Sequence, residues 1–302
     1  MYEMKKMICM VMTVASLTYT TQTMAQSPGL QKKVNTYFLQ SLKAQQKALE
    51  KEGKAEFAQN APLETKLQQA IDGKDIASYQ KMVWSAWCDA NRNLQEEKLI
   101  EPEDLKLAKN SSWNLPQCLE PNAVMPYYYG KKGVAADGKF PLFLYVHGSG
   151  PKDHEWSNGI KLGLSFQDSP SIYFIPQIPN EGEYYRWWHL SKQYAFEKLI
   201  RQNLVNGEVD ANRLYVFGIS EGGYGSQRLA SFYADYWAAA GPMAGGEPLK
   251  NAPVENCAKI YLYLFIKLSI RDIICCKCTY NCTNNSAIFT RNCTIICAIY
   301  PQ

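Results

Sequence analysis

Histidine is scarce in this sequence of 302 residues. The chain has three histidines, His147, His154 and His189, and none follows His189. Any chemistry that depends on a histidine in the C-terminal part of the chain therefore lacks the residue it needs.

Neither a dominant charge nor a long hydrophobic run is present after the N-terminus. Lys and Arg number 32 against 28 for Asp and Glu, and no Lys/Arg-rich run is paired with aromatic residues. A nucleic-acid partner is therefore not expected. No later apolar run reaches the ~20 residues that cross a bilayer, so we expect no stable membrane insertion. The sequence predicts no oligomeric state.

The N-terminus has the pattern of a secretory signal peptide. Lys5 and Lys6 precede an apolar stretch from Met7 to Tyr19, and small residues lie around Ala25. We expect residues 1–25 to be removed near Ala25, which makes the protein secreted or periplasmic. A buried N-terminal helix is the alternative.

Residues 26–118 have the composition of a helical N-terminal extension. As far as about Lys109 they are rich in Lys, Gln, Glu, Ala and Leu, with apolar residues at helical spacing. Examples are Val34, Phe38, Leu42, Tyr79, Met82, Val83 and Ala86. We expect Trp84 and Trp87 to pack these helices onto the rest of the protein, with a substrate-lining role as the alternative.

Residues 119–256 consist of short apolar runs separated by Gly, Pro, Asn and Asp, which is typical of strands and turns. The predicted strands are Val124–Tyr129, Phe140–Val146, Ile172–Ile175, Leu214–Phe217 and Trp237–Ala240. Helical patterns at Lys192–Asn203 and Gly222–Tyr236 alternate with the later strands. The predicted fold class is therefore α/β, with a mainly parallel sheet covered by helices on both faces.

One predicted strand leads directly into the motif G-x-S-x-G, which is followed by a helical pattern. The motif spans Gly218 to Gly222 and centres on Ser220. A strand-to-helix corner lifts the serine hydroxyl out of the sheet, and the flanking glycines let the backbones pass without Cβ clashes. The pattern predicts Ser220 as a nucleophile, with an incidental serine in a tight glycine-rich loop as the alternative.

A second predicted strand, Phe140–Val146, leads into H-G-S-G at residues 147–150. In a hydrolase, an amide from such a loop and the amide that follows the nucleophile together hold an oxyanion. The predicted donors are the amides of Glu221 and of Ser149 or Gly148.

A dense aromatic cluster lies between the two motifs, at residues 184–189. It follows a predicted strand, at the sheet edge where ligands gather in open α/β sheets. We expect Tyr185, Trp187 and Trp188 to form a wall for an aromatic acyl group or a sugar ring. Packing of the rings under a long loop is the alternative.

Residues from about Ala123 to Pro248 resemble the secreted esterase branch of the α/β-hydrolase superfamily. That branch includes polyhydroxybutyrate depolymerase-like and feruloyl esterase-like enzymes, with prolyl-oligopeptidase-type peptidases as neighbours. The resemblance lies in H-G-S-G at 147–150, D-A-N-R at 210–213, the elbow at 218–225 and A-A-A-G-P-M-A-G-G at 238–246. It implies ester hydrolysis through an acyl-enzyme on Ser220, a small-molecule or polymeric ester as substrate, and no cofactor.

The resemblance also implies a histidine base oriented by an acid, in the chain order Ser, Asp/Glu, His. No histidine follows Ser220. His147 precedes the nucleophile, so we expect it to stabilise its loop. Glu255 and Asp272 are the only carboxylates beyond Glu247, and neither lies in a recognisable strand-end context. With no identifiable acid or base, the chain as written is expected to be inactive or severely impaired.

Residues 257–302 differ in composition from the rest: they contain no Gly, Glu, Val, Met or His, but nine Ile and seven Cys. A reading-frame shift near Cys257 is one explanation. The others are a cysteine-rich metal-binding tail, whose spacing does not match paired C-x2-C zinc ligands, and a natural pseudo-enzyme that keeps the fold for binding. We assign no metal site. Cys88 and Cys118 either form a disulfide or remain two thiols.

Two rival functions stay open. One is a non-catalytic module that uses the aromatic cluster to hold a glycan or an aromatic ligand. The other is a serine peptidase of the prolyl-oligopeptidase type, because ester and peptide hydrolases share the same elbow.

Overall fold

A computed structural model describes residues 28–52, 76–245, 261–264 and 276–278, the last two segments by their backbone alone. The chain divides into two compact units between Glu97 and Lys98. The predicted signal peptide, with its cleavage near Ala25, and most of the tail 257–302 lie outside the described residues. Within the described segments, no helix combines the length and the apolar character needed to cross a bilayer.

The first unit contains two helices, α1 (Pro28–Glu52) and α2 (Ile76–Arg92). Their buried side chains include most of the positions predicted from helical spacing, namely Val34, Phe38, Leu42, Met82, Val83 and Ala86. Trp84 and Trp87 stack on each other, with ring centroids 5.2 Å apart. Asn35 of α1 donates a hydrogen bond to Ala86 O of α2 at 3.1 Å, so polar as well as apolar contacts join the two helices.

The second unit is built on one mainly parallel sheet. Its strands are β1 (Glu103–Asp104), β2 (Asn110–Asn114), β3 (Val124–Lys132), β4 (Phe140–Val146), β5 (Ser171–Pro176), β6 (Val209–Ile219), β7 (Ala239–Met243), β8 (Tyr261–Leu264) and β9 (Cys276–Cys278). They lie in the order β1-β3-β5-β4-β6-β7-β8-β9, and β2 also pairs with β3. Strands β5, β4, β6, β7 and β8 are mutually parallel, so their carboxyl ends share one edge of the sheet.

Three helices belong to this unit, α3 (Lys152–Ser165), α4 (Leu190–Asn206) and α5 (Glu221–Phe232). The predicted α/β fold class with a mainly parallel sheet is confirmed. Helix α3 was not predicted, because its buried residues are Gly159, Ile160 and Gly163 and they form no apolar stripe.

The helical extension is shorter than its composition suggests, which corrects the predicted boundary at residue 118. Residues 103–104 and 110–114 form β1 and β2 and pair with β3. Trp113 of β2 is 1% exposed and packs against both Tyr127 and Phe174, with centroid distances of 5.0 and 5.5 Å. Burial of this large ring stabilises β2 on the sheet, and the residues Asn110–Asn114 have little preference for helix.

The sheet continues beyond β7 into the compositionally unusual tail. Strand β8 pairs in parallel with β7 at Ala239 and Ala240, and β9 pairs antiparallel with β8. Backbone pairing of this kind does not depend on the identity of the side chains.

Candidate active site

Ser220 forms the corner between β6 and α5. Its backbone has φ +54° and ψ −114°, a conformation that a residue with a Cβ rarely adopts. The Ser220 amide donates to Met243 O at 2.9 Å, and the Tyr224 amide donates to Ser220 O at 3.0 Å. These two bonds hold the strained corner, and Ser220 is exposed.

The glycines of the motif are required by close contacts with β4. A Cβ added to Gly222 would lie 1.9 Å from Val146 O, and one added to Gly218 would lie 2.3 Å from the same atom. Both distances are far below van der Waals contact. The backbone of β4 therefore passes directly against the elbow, as the G-x-S-x-G pattern predicts.

The loop that contains H-G-S-G lies next to the elbow. A Cβ added to Gly148 would lie 3.6 Å from Ser220 Cβ and 3.5 Å from Ile219 O. Glu221 is the first residue of α5, where backbone amides have no carbonyl acceptor within the helix. The structure thus brings the elbow and the H-G-S-G loop together. That the amides of Glu221 and of Ser149 or Gly148 hold an oxyanion stays a prediction.

His147 is fully buried and both of its ring nitrogens are engaged by the backbone. Its Nδ1 lies 2.7 Å from Gly148 O, and the Ile178 amide donates to Nε2 at 3.1 Å. This pattern requires the neutral tautomer with the proton on Nδ1. Burial lowers the pKa of His147 to about 4, against a smaller opposite effect of the bond to Gly148 O. His147 therefore stabilises the loop and has no nitrogen available as a base.

The other two histidines also bond elsewhere. His154 Nδ1 pairs with Asn158 Nδ2 at 3.2 Å, and His189 Nδ1 pairs with Ser191 Oγ at 2.8 Å. The hydroxyl of Ser220 forms no hydrogen bond with any residue in the described part of the chain. The geometry there places no base against the candidate nucleophile.

Trp187 packs inside the protein, which corrects the expectation that it lines a ligand cleft. It is 0% exposed, and its indole Nε1 donates to His147 O at 2.8 Å. A Cβ added to Gly225 of α5 would lie 2.5 Å from Trp187 Cβ. Trp187 therefore fills the space between the H-G-S-G loop and α5, and leaves no ring face for a ligand.

The neighbouring aromatic residues are half-buried and have different contacts. The Tyr185 hydroxyl donates to Gly148 O at 2.8 Å and to Gly150 O at 3.2 Å. Trp188 lies beside two cations, with Arg228 4.1 Å and Arg186 5.8 Å from its ring centroid. Tyr185 thus braces the predicted oxyanion loop through its hydroxyl, and the half-buried rings of Tyr185 and Trp188 both stay candidates for a ligand wall.

A buried ion pair anchors the aromatic segment, and no local sequence pattern predicts it. Glu120 and Lys192 are both 0% exposed and bond through Glu120 Oε2, which also accepts from Ser191 Oγ. Asn180 Nδ2 donates to Glu120 Oε1 at 3.1 Å, and Lys192 Nζ donates to Tyr184 O at 2.8 Å. Glu120 therefore ties together both ends of the segment 180–192.

Cys88 and Cys118 are thiols in the structure, the first buried and the second exposed. Burial raises the pKa of the Cys88 thiol. Within the described ranges, no group of three His, Cys, Asp or Glu side chains is arranged to hold a metal ion.

Comparison with known proteins gives structural likenesses only. No protein-family model and no curated protein matches the chain. A thermostable esterase is similar, with 24% identity and a TM-score of 0.42 over 52% of this chain and 45% of that one. An acetyl xylan esterase from Aspergillus awamori has 14% identity and a TM-score of 0.34, over 44% of this chain and 50% of that one. A ferulic acid esterase has 11% identity and a TM-score of 0.36, over 52% of this chain and 76% of that one. The chain spans about half the length of the first two structures.

Proposed function

We propose that this fold is that of a serine hydrolase acting on carboxylic esters, with Ser220 as the residue that is acylated. The observation that supports it best is the strained elbow, in which Ser220 has φ +54° and is exposed at the start of a helix. Strain at a polar residue in such a corner is a common mark of a nucleophile.

Hydrolysis at this site would take two steps. Ser220 Oγ attacks the ester carbonyl carbon and loses its proton to a base, and the carbonyl oxygen becomes an oxyanion held by the amides of Glu221 and of Ser149 or Gly148. Collapse of this intermediate breaks the bond to the alcohol oxygen, which takes the proton and leaves. Water then attacks the acyl-enzyme by the same route and restores the serine.

A base bonded to Ser220 is the component missing from the described part of the chain. All three histidines lie in the described residues, and each is bonded to groups other than Ser220. We therefore expect turnover to be lower by several orders of magnitude than in a site with a full triad.

An aryl acetate assay tests the expected impairment, and labelling of Ser220 tests the proposed nucleophile. The 302-residue polypeptide should hydrolyse p-nitrophenyl acetate no faster than its Ser220→Ala variant. Rapid hydrolysis that is lost in Ser220→Ala would overturn the expected impairment and establish the nucleophile. Modification of Ser220 by a fluorophosphonate, located by peptide mass mapping, would likewise support a reactive serine.

A non-catalytic module that binds a glycan or an aromatic ligand is the second candidate, and Trp188 favours it. Its half-exposed ring lies beside Arg186 and Arg228, an arrangement suited to stacking against a polar ring. A glycan screen should then give binding that survives Ser220→Ala and is lost in Trp188→Ala. Binding that survives both substitutions would exclude Trp188 as the contact.

Two finer expectations from the sequence are also proposals. A peptidase of the prolyl-oligopeptidase type would cleave a prolyl p-nitroanilide faster than an aryl acetate.

Export with cleavage near Ala25 would give a mature N-terminus at Gln26, which N-terminal sequencing of the exported protein checks.

A further inference from the structure

Two carboxylates, those of Glu155 and Glu221, belong to the surroundings of the candidate nucleophile, and they differ in their partners. Glu221 forms an ion pair with Arg186 at 3.5 Å. The carboxylate of Glu155, in the first turn of α3, forms no hydrogen bond or ion pair within the described part of the chain. No described cation therefore forms an ion pair with the charge of Glu155.

The carboxylate of Glu155 and the side chain of Ser220 both lie next to Gly148. A Cβ added to Gly148 would lie 3.2 Å from Glu155 Oε2 and 3.6 Å from Ser220 Cβ, so a single atom at that place contacts both side chains. A Cβ added to Gly150 would lie 2.3 Å from Glu155 Oε1. The two glycines of the H-G-S-G loop thus leave the space that the carboxylate occupies.

The negative charge of Glu155 acts on neighbouring groups. Burial raises the pKa of Tyr145 and of Tyr185 to about 12 each, and the charge of Glu155 is the second cause at both hydroxyls. The same charge opposes an oxyanion that develops at Ser220 and repels an anionic ligand. A positive charge on the ligand would remove both penalties.

We propose that Glu155 is a specificity-determining residue that selects esters with an ammonium-type cation close to the scissile bond. The proposal rests on the proposed function of Ser220. The cation would pair with the Glu155 carboxylate, and the half-buried ring of Tyr185 supplies an aromatic neighbour of the kind that ammonium groups contact. Arg186 does not neutralise Glu155, because Arg186 pairs with Glu221. Glu155 therefore stays available to a cation on the ligand.

The expected selectivity is modest, because Glu155 is partly exposed to solvent. An ion pair in this setting should strengthen binding about threefold to tenfold at low ionic strength. The preference should shrink as salt is added, because salt screens exposed charges. A purely structural role for Glu155 would produce no such dependence on the charge of the ligand.

The test compares two esters of the same shape in the full-length Ser220→Ala protein, where binding is not complicated by turnover. Acetylcholine carries the cation, and 3,3-dimethylbutyl acetate replaces its nitrogen by carbon. Dissociation constants are measured by ligand-observed NMR titration at low and high NaCl. The same titrations are made after adding Glu155→Gln, and after adding Glu101→Gln as a control on an exposed carboxylate that does not act on Tyr185.

The expected result is tighter binding of acetylcholine that falls to the level of the neutral ester in Glu155→Gln and is retained in Glu101→Gln. Equal affinities for the two esters, a preference that survives Glu155→Gln, or no binding of either ester would overturn the proposal. Reaction of Ser220 with a fluorophosphonate in the unsubstituted chain tests the proposed function separately. The failure of the Glu155 proposal can therefore be distinguished from the failure of the proposed function.

Discussion

At the scale of single residues, the loop beside Ser220 depends on a histidine that must stay neutral. His147 Nε2 accepts a hydrogen bond from the Ile178 amide, and Nδ1 bonds to Gly148 O. A proton added to Nε2 would face the Ile178 N–H and abolish that bond. Burial accordingly lowers the pKa of His147 to about 4, and acid should weaken the loop.

We expect the free energy of unfolding to fall as pH decreases from about 6.5 to about 4. The unfolded chain binds a proton at the ordinary histidine pKa of 6.5 and the folded chain only at about 4, so the unfolded state holds more protons in this window. The full loss amounts to about 3 kcal/mol. Urea denaturation of the unsubstituted protein, His147→Asn and the exposed-site control His154→Asn measures it. A pH dependence that is the same in all three would contradict the expectation.

At the scale of elements, the elbow depends on the approach of β4 to the start of α5. Gly222→Ala should destabilise the fold by about 3 kcal/mol or more. The alanine Cβ would lie 1.9 Å from Val146 O, and this backbone atom could move away only by distorting β4. Gly163→Ala in α3 is the matched control: its Cβ meets only side-chain atoms, at 3.3 Å, and alanine favours the helix. Chemical denaturation of the two variants should separate them clearly, and equal losses would contradict this account.

The segment 180–192 depends on the ion pair between Glu120 and Lys192. Each single change, Glu120→Gln or Lys192→Met, leaves one buried group without its charged partner and should cost about 3–5 kcal/mol. The double variant removes both charges, so it should cost less than the two single changes together. A double-mutant cycle by urea denaturation gives the coupling, and strictly additive losses would mean that the pair is not coupled.

The sequence predicted those elements whose signal is local. Strand β4 and the elbow around Ser220 were found because apolar runs, glycines and a helical period lie within a few residues of each other. Strand β2 was missed because Trp113 is buried by Tyr127 and Phe174, which are distant in the chain. No local pattern links Glu120 to Lys192, or shows that Trp187 points inward. Such features depend on tertiary contacts that a single sequence does not reveal.

At the scale of the whole molecule, the fold positions the candidate nucleophile Ser220, and no group in the described part of the chain bonds to its hydroxyl to activate it. Strand β6, helix α5 and the H-G-S-G loop hold Ser220 exposed at the carboxyl edge of the sheet. The histidines before it stabilise loops or lie on the surface, and the sequence has none after it. In the proposed reaction, positioning of Ser220 and transfer of its proton are separate tasks, and an added base can supply the second.

We expect imidazole to restore part of the missing activity. Because the Ser220 hydroxyl is exposed and bonds to no described residue, a small base in solution can reach it and accept its proton. Hydrolysis of p-nitrophenyl acetate by the unsubstituted chain should then rise with imidazole concentration and level off as the site fills. Ser220→Ala at each concentration supplies the background of hydrolysis by imidazole alone. His147→Asn should retain the effect if it remains folded, since His147 is not the base. Rates equal to those of Ser220→Ala at every concentration would mean that Ser220 is not positioned to react.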